Sequence, residues 1–270
     1  MPQIQANGIE LYYEIGGQGP KLLFIGGTGG DLRVKPGILE SPLVKNFEVL
    51  TYDQRGQGRS AKPDQPYSMT DYADDAAALL NALDWGPCPV VGFSFGSMVG
   101  LELVLGHPGL CTRLALMCGP SGGEGGSAYP LHQIWELPLE EKAARLLELS
   151  DVRRDSAWKA AHQKEWQTLL DDTKARLRLG ESDPQAVMGA QRQLEARKRH
   201  DTWQRLLQIK APVLVLAGKY DGVAPLAIMQ NLAGQIPGAG LEIFEGGHYF
   251  FQQDPRTFEV ITGFCLNSGK

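Results

Sequence analysis

A serine between two glycines, in Gly92-Phe93-Ser94-Phe95-Gly96, stands between an apolar run and a helical pattern. In that context G-x-S-x-G predicts a sharp strand-to-helix turn that exposes the hydroxyl, and glycine leaves room for such a turn. The helix start also places backbone N–H dipoles beside a developing oxyanion. We therefore interpret Ser94 as a nucleophile. The alternative is a structural serine in a turn.

A serine hydroxyl is a weak nucleophile at neutral pH, so it needs a general base, and the base needs an acceptor that orients it. His248 follows the last apolar run, whereas the other four histidines lie in or beside predicted helices and are interpreted as surface or cap residues. Asp221 follows the apolar run 213–218, and no carboxylate directly follows the run that ends at Met117. Asp221 alone would be an ordinary turn residue. The chain order serine, aspartate, histidine favours one catalytic edge and predicts His248 as base and Asp221 as its acid.

The loop Gly26-Gly27-Thr28-Gly29-Gly30-Asp31 leaves another apolar run. Glycines let a backbone approach a substrate closely. We expect the N–H of Thr28 or Gly27 to form an oxyanion hole with the N–H of Phe95. The alternative is an ordinary turn between a strand and a helix.

The elements that must position these residues are short apolar runs separated mostly by helical patterns. Continuous apolar character is typical of strands covered on both faces. An Asn-Gly pair at 7–8 predicts an N-terminal hairpin, and Ser68 with Asp71 predicts a capping box at the start of a helix. The sequence predicts an α/β fold with a mostly parallel sheet flanked by helices. The predicted strands lie in 21–27, 47–53, 88–93, 112–119, 213–218 and 241–247.

Residues 121–208 contain no convincing strand pattern, and charged helical patterns follow one another there. We interpret this region as a helical cap inserted into a core formed by 1–120 and 209–270. The glycine-rich stretch 119–127 is either a flexible hinge into the cap or a surface loop. The cap and nearby loops should supply an apolar pocket that favours acyl groups or aromatic rings, although each residue could equally serve cap or core packing. The candidates are Phe93, Met98, Tyr129, Trp135, Met188, Val223 and Tyr249.

The chain has 270 residues and a formal net charge of −5, without a basic patch of the kind that nucleic-acid binding needs. No apolar run is long enough to span a bilayer and no signal-peptide pattern is present, so we expect a cytoplasmic protein without a membrane partner. The four cysteines and five histidines lack metal-ligand spacing, so we expect free thiols and no metal. The stretch 56–61 superficially matches a dinucleotide motif, but prolines follow where a helix should begin, and we expect no cofactor.

The chain resembles the α/β-hydrolase superfamily along nearly its whole length. Its motif Asp53-Gln54-Arg55-Gly56-Gln57-Gly58-Arg59-Ser60 is similar to the D-x-R-G-x-G-x-S loop of the serine-nucleophile esterase, enol-lactonase, haloperoxidase and C–C hydrolase branches of that superfamily. The resemblance implies an α/β-hydrolase fold in which the arginine and aspartate of this loop brace the chain near the oxyanion loop. The family pattern has histidine where Gly26 stands, which leaves the oxyanion donor open.

Within that superfamily an aspartate nucleophile would imply dehalogenase or epoxide hydrolase chemistry, and Ser94 argues against both. The resemblance implies a serine hydrolase that cleaves a small ester or lactone through an acyl-enzyme. C–C bond hydrolysis, cofactor-free perhydrolase or lyase chemistry, and a non-catalytic binding protein stay open, because fold does not fix function. The sequence sets neither the acyl length nor the oligomeric state.

Overall fold

The computed structural model describes residues 2–181 and 183–267. Eight strands form one sheet in the spatial order β1-β2-β4-β3-β5-β6-β7-β8. All six internal apolar runs form strands, as predicted. The strands are β1 (Gln3–Ala6), β2 (Ile9–Gly17), β3 (Lys21–Ile25), β4 (Glu48–Tyr52), β5 (Cys88–Phe93), β6 (Cys111–Met117), β7 (Val213–Gly218) and β8 (Gly240–Phe244).

The sheet is parallel except at its N-terminal edge. β1 and β2 form the predicted antiparallel hairpin, with Asn7 and Gly8 at positive φ, and β2 also runs antiparallel to β4. The remaining neighbours, from β4 through β3 to β8, pair in parallel. The carboxyl ends of these strands therefore lie along one edge, where open α/β sheets place their ligand sites.

Helices cover both faces of the sheet. The capping box of α1 is present: the Ser68 hydroxyl accepts from the Asp71 N–H, and the Asp71 carboxylate accepts from the Ser68 N–H. The helices are α1 (Met69–Ala82), α2 (Phe95–Gly106), α3 (Leu139–Ser150), α4 (Ser156–Ala161), α5 (Gln163–Arg178), α6 (Pro184–Lys198), α7 (Leu226–Gln235), α8 (Phe250–Gln253) and α9 (Arg256–Leu266). Across the described ranges, none of these helices is long and apolar enough to cross a membrane.

The region 121–208 is helical and holds α3 to α6. Asp183 caps α6 by accepting from the Gln185 N–H, and Pro184 is the first residue of this helix. An isolated antiparallel bridge between Gly122 and Asp201 brings the two ends of the region together. An insertion into a sheet domain must begin and end at neighbouring positions, and this bridge meets that requirement. The division of the chain into core and cap remains our proposal.

Candidate active site

Ser94 lies on the turn between β5 and α2 with φ +53° and ψ −112°, a conformation that non-glycine residues rarely adopt. The flanking glycines make this turn possible. A Cβ on Gly92 would lie 2.4 Å from the carbonyl oxygen of Gly96, and one on Gly96 would lie 2.0 Å from that of Ile25. The serine is thus held at the carboxyl end of the sheet by backbone contacts that no larger residue would permit.

Ser94, His248 and Asp221 form one hydrogen-bonded chain. His248 Nε2 lies 3.0 Å from Ser94 Oγ, and His248 Nδ1 lies 2.7 Å from Asp221 Oδ2. All three residues are buried. Asp221 comes from the loop after β7, and His248 from the loop after β8. This arrangement can take a proton from the serine hydroxyl while the carboxylate holds the imidazole in place.

The second oxygen of Asp221 is also occupied, because Oδ1 accepts hydrogen bonds from the N–H of Val223 at 2.7 Å and of Ala224 at 2.9 Å. The ring of His248 packs against Phe93, with ring centroids 5.2 Å apart. The carboxylate and the imidazole are therefore both fixed by partners within the core.

Cys118 is a fourth group beside this hydrogen-bonded chain, and no sequence pattern selects it. It follows β6 at φ +53°, and its thiol donates to the carbonyl oxygen of His248 at 3.3 Å. Ligand atoms of Cys118, Asp221 and His248 lie within 4.8 Å of one another. Burial, with the nearby Asp221 carboxylate, raises the thiol pKa well above its usual value. Because a metal ligand must be a thiolate, we interpret Cys118 as a hydrogen-bonding neighbour of the chain.

The glycine-rich loop after β3 lies against the serine. A Cβ on Gly27 would lie 3.4 Å from Ser94 Cβ, so the backbone of Gly27 directly adjoins Ser94. The loop turns tightly, because the Gly30 N–H donates to the Gly27 carbonyl. Within the described ranges, the N–H groups of Gly27 and Thr28 donate to no protein acceptor. Phe95 is the first residue of α2, where helical N–H groups lack intrahelical partners.

The loop 53–60 supports the oxyanion loop. Asp53 accepts from the N–H groups of Leu32 and Arg59, and Gln54 Nε2 donates to the Gly26 carbonyl at 3.0 Å. Arg55 differs from our expectation: its buried guanidinium forms two 2.6 Å hydrogen bonds with Asp75 of α1. The aspartate and glutamine brace the oxyanion loop, whereas the arginine anchors this segment to a helix.

The predicted pocket residues divide between two apolar clusters. Phe93, Met98 and Tyr249 belong to the main core, whereas Tyr129, Trp135 and Val223 belong to a smaller cluster formed by the cap and the loop after β7. Among the described residues, Met188 belongs to neither cluster and is half-buried on α6. Within the smaller cluster, the Tyr129 N–H donates to the Val223 carbonyl at 2.7 Å, which joins the segment around Tyr129 to the loop after β7.

The sequence analysis did not predict that α6 buries polar side chains against the core. Gln193 is fully buried and its Oε1 accepts from the Gly29 N–H at 2.7 Å, so α6 contacts the glycine-rich loop after β3. Arg197 and His200 are also buried, although histidines outside the predicted triad were expected at the surface or in the cap. Gln193 and Arg197 lie one helical turn apart on α6, and His200 follows the end of this helix, but polar residues at such spacing on a charged helix normally indicate a solvated face.

Comparison with known proteins agrees with this architecture. Residues 20–255 match the family model described as alpha/beta hydrolase fold. A protein named putative carbamate hydrolase RutD, from Azorhizobium caulinodans, is 29% identical, and the alignment covers 98% of each chain. The crystal structure of the enol-lactonase from Burkholderia xenovorans LB400 superposes with a TM-score of 0.80 at 22% identity, covering 98% of this chain and 100% of that one.

A solved structure described as Est816, an N-acyl homoserine lactone degrading enzyme, superposes with a TM-score of 0.76 at 28% identity, covering 97% of this chain and 100% of that one. The family model spans most of the sequence, including the strands that carry the serine, the aspartate and the histidine. The chain therefore belongs to the α/β-hydrolase family and is an enzyme of that class.

Proposed function

We propose that the chain is a serine hydrolase that cleaves a small carboxylic ester or lactone through an acyl-enzyme intermediate. The observation that supports this most directly is the hydrogen-bonded chain from Ser94 through His248 to Asp221 on the strand-to-helix turn. Its geometry meets the requirement of nucleophilic catalysis, which is a hydroxyl within reach of a base that is itself oriented.

In the first half-reaction, His248 Nε2 takes the Ser94 proton as Oγ attacks the carbonyl carbon. Asp221 keeps Nε2 free for that proton by accepting from Nδ1–H, and it stabilises the imidazolium that forms. The carbonyl oxygen becomes an oxyanion, which we place between the N–H of Phe95 and that of Gly27 or Thr28. Collapse expels the alcohol, which takes the proton from His248.

In the second half-reaction, water attacks the acyl-enzyme. His248 now takes a proton from this water and returns it to Ser94 as the acid leaves. The oxyanion site serves both steps, and one such donor is typically worth about 10²–10³ in turnover. The contacts of Gln54 and Gln193 with the loop 26–30 would keep that site in place.

The relatives suggest which acyl compounds belong in the test. The A. caulinodans relative is named for a carbamate, and one structural neighbour is described as degrading a lactone. The acyl bonds of a carbamate and of a lactone can both be cleaved by attack of a serine oxygen on the carbonyl carbon. We therefore place esters first and include a γ-lactone and an N-alkyl carbamate ester as alternative substrates.

The test is hydrolysis of 4-nitrophenyl esters from acetate to octanoate by the wild type and by Ser94→Ala. The wild type should turn over, and the folded variant should lose on the order of 10⁵–10⁶ in kcat. The exposed Ser156→Ala is the matched control and should behave as wild type. Mass spectrometry after treatment with a fluorophosphonate should locate the label on Ser94.

Three other outcomes would contradict parts of this proposal. Full activity in a folded Ser94→Ala variant would refute the assignment of the nucleophile. Labelling of Ser94 without turnover of esters, lactone or carbamate would refute ester and lactone hydrolysis and favour C–C bond or lyase chemistry. Absence of both labelling and turnover would favour a binding protein.

A further inference from the structure

Among the residues that the structure describes, Arg197 is a buried cation without an anionic partner. Only 7% of the surface of Arg197 is exposed, and its Nη1 donates to the Tyr129 carbonyl at 2.8 Å. The other two nitrogens, Nε and Nη2, have no hydrogen-bond partner in the part of the chain that the structure describes. Burial lowers the Arg197 pKa to about 10, so the guanidinium stays charged at neutral pH.

An unpaired buried charge is costly, and folded proteins normally pair it. The two free nitrogens of Arg197 are adjacent, on the edge of the guanidinium that can hold both oxygens of a carboxylate. Other arginines of this chain use that same edge, with Nε and Nη2 both bonded to one aspartate. These pairs are Arg33 with Asp31, Arg55 with Asp75, Arg153 with Asp151 and Arg256 with Asp254.

Arg197 lines a small cleft between the cap and the core with a cavity volume of about 80 Å³, several times the space that one water molecule needs. Lys198, His132 and His200 line the same cleft, and its described lining includes no aspartate or glutamate. An anion would therefore meet positive or neutral groups there, although the whole chain is acidic.

The described lining of the cleft does not include Ser94, Asp221 or His248, but hydrogen bonds link it to the first two. Met98 forms part of its wall and lies one helical turn after Ser94, to whose carbonyl its N–H donates. On the other side, Tyr129 accepts from Arg197 and donates to the Val223 carbonyl, and the Val223 N–H donates to Asp221. Two residues thus separate the guanidinium from the acid of the triad.

We propose that Arg197 binds a carboxylate of the substrate, so that the enzyme acts on an ester or lactone whose acyl part ends in a second, ionised carboxyl group. This inference rests on the proposed function. It narrows the predicted apolar acyl group to one with an anionic end: the apolar clusters would hold the acyl chain, and the edge of Arg197 would hold its terminus.

The test compares mono-4-nitrophenyl esters of succinate, glutarate and adipate with neutral esters in which an isopropyl group replaces the carboxylate, such as 4-nitrophenyl 5-methylhexanoate for glutarate. The wild type should favour one anionic ester at least tenfold in kcat/KM. Arg197→Met should lower kcat/KM for that ester at least tenfold, mainly through KM, and change the neutral ester less than threefold. These sizes fit the loss of charged hydrogen bonds.

Arg199→Met is the matched control, because it makes the same chemical change two residues away on a side chain that is 75% exposed. It should leave both esters unchanged. Equal losses on anionic and neutral esters in Arg197→Met, or a wild type that prefers the neutral esters, would overturn the inference while the proposed function stands.

Binding separates this inference from the proposed function. Calorimetry with the folded Ser94→Ala variant should show glutarate binding at least tenfold tighter than glutaramide, and adding Arg197→Met should abolish the difference. If the wild type hydrolyses none of the esters but glutarate binds through Arg197, ester hydrolysis is wrong and the anion site stands. If neutral esters are hydrolysed and none of the three diacids binds, the anion site is wrong.

Discussion

The two sides of the site, the chain from Ser94 to Asp221 on the sheet and the inner face of α6 on the cap, differ in how their polar groups are satisfied. On the sheet side, Ser94, His248 and Asp221 bond to one another, and the second oxygen of Asp221 bonds to two backbone N–H groups. On the cap side, Gln193 Nε2 and the Nε and Nη2 atoms of Arg197 lack a described partner.

We interpret this difference as a division of labour, in which the sheet side carries out the reaction and the cap side recognises the substrate. A proton relay must be preorganised before the substrate arrives, so its partners lie within the chain. A recognition site leaves donors free because the ligand completes them, and a site built in this way rejects ligands that leave them unpaired. The cap-side donors are thus where substrate specificity should reside, and the following changes test each side.

The largest effect after loss of the nucleophile should come from Asp221→Asn. The amide can present its N–H to His248 Nδ1, which would favour the tautomer that carries its proton on Nε2 and cannot accept from Ser94. We expect kcat to fall about 10⁴-fold while KM stays within a few-fold, as for the equivalent change in serine proteases. Steady-state ester hydrolysis measures this. A loss below tenfold would show that Asp221 does not orient the base.

A second substitution at Cys118 tests whether the lost carboxylate of Asp221 can be replaced from a neighbouring position. The sulfur of Cys118 is close enough to Asp221 and His248 for a carboxylate at 118 to replace the lost acid. We expect Cys118→Asp in the Asp221→Asn background to recover at least tenfold of the lost kcat. Cys118→Asn in the same background is the isosteric control and should recover none. Equal recovery by both would indicate repacking rather than a relocated acid.

The sheet side could be predicted because each of its residues is tied to a local pattern. Ser94 stands between glycines that the turn requires, and His248 and Asp221 follow apolar strands. Continuous apolar runs also predicted the sheet, because strands buried on both faces leave little choice of residue type. The three residues were thus selected from the G-x-S-x-G motif, the strand ends and the chain order, and their roles remain proposals.

The cap side could not be predicted in the same way. Gln193 and Arg197 look like solvent-facing residues of a charged helix, and only the docking of α6 onto the core buries them. The position of Cys118 next to His248 depends on a contact across 130 residues. The ion pair of Arg55 with Asp75 could not be predicted either, since local motif spacing does not reveal that Asp75 of α1 lies beside it.

An intermediate effect is expected from Gln193→Leu. This change removes the acceptor for the Gly29 N–H, and a buried donor left unpaired costs about 1–3 kcal/mol. The oxyanion loop should become less well positioned, so kcat should fall roughly tenfold with little change in KM. The exposed Gln185→Leu on the same helix is the control. A rise in KM alone would assign Gln193 to substrate binding instead.

His200→Gln should have the smallest effect on activity. It should instead change how the stability of the protein depends on pH. Burial lowers the His200 pKa to about 4, below the value near 6.5 in an unfolded chain. The charges around it are Arg197, Asp201, Arg205 and Glu102, whose Oε1 lies 3.9 Å from Nδ1. Between pH 6.5 and 4 the unfolded state binds more protons, so this histidine makes the wild type less stable as the pH falls.

Glutamine does not titrate, so the wild type should lose about 2 kcal/mol more unfolding free energy than His200→Gln between pH 7 and pH 5. Urea unfolding at both pH values measures this. The comparison with the variant is needed because burial raises the Asp53 pKa to about 6, and its protonation favours the folded state over the same range. The exposed His162→Gln should show no such difference. Equal losses in wild type and His200→Gln would show that His200 takes up its proton in the folded state as readily as in the unfolded chain.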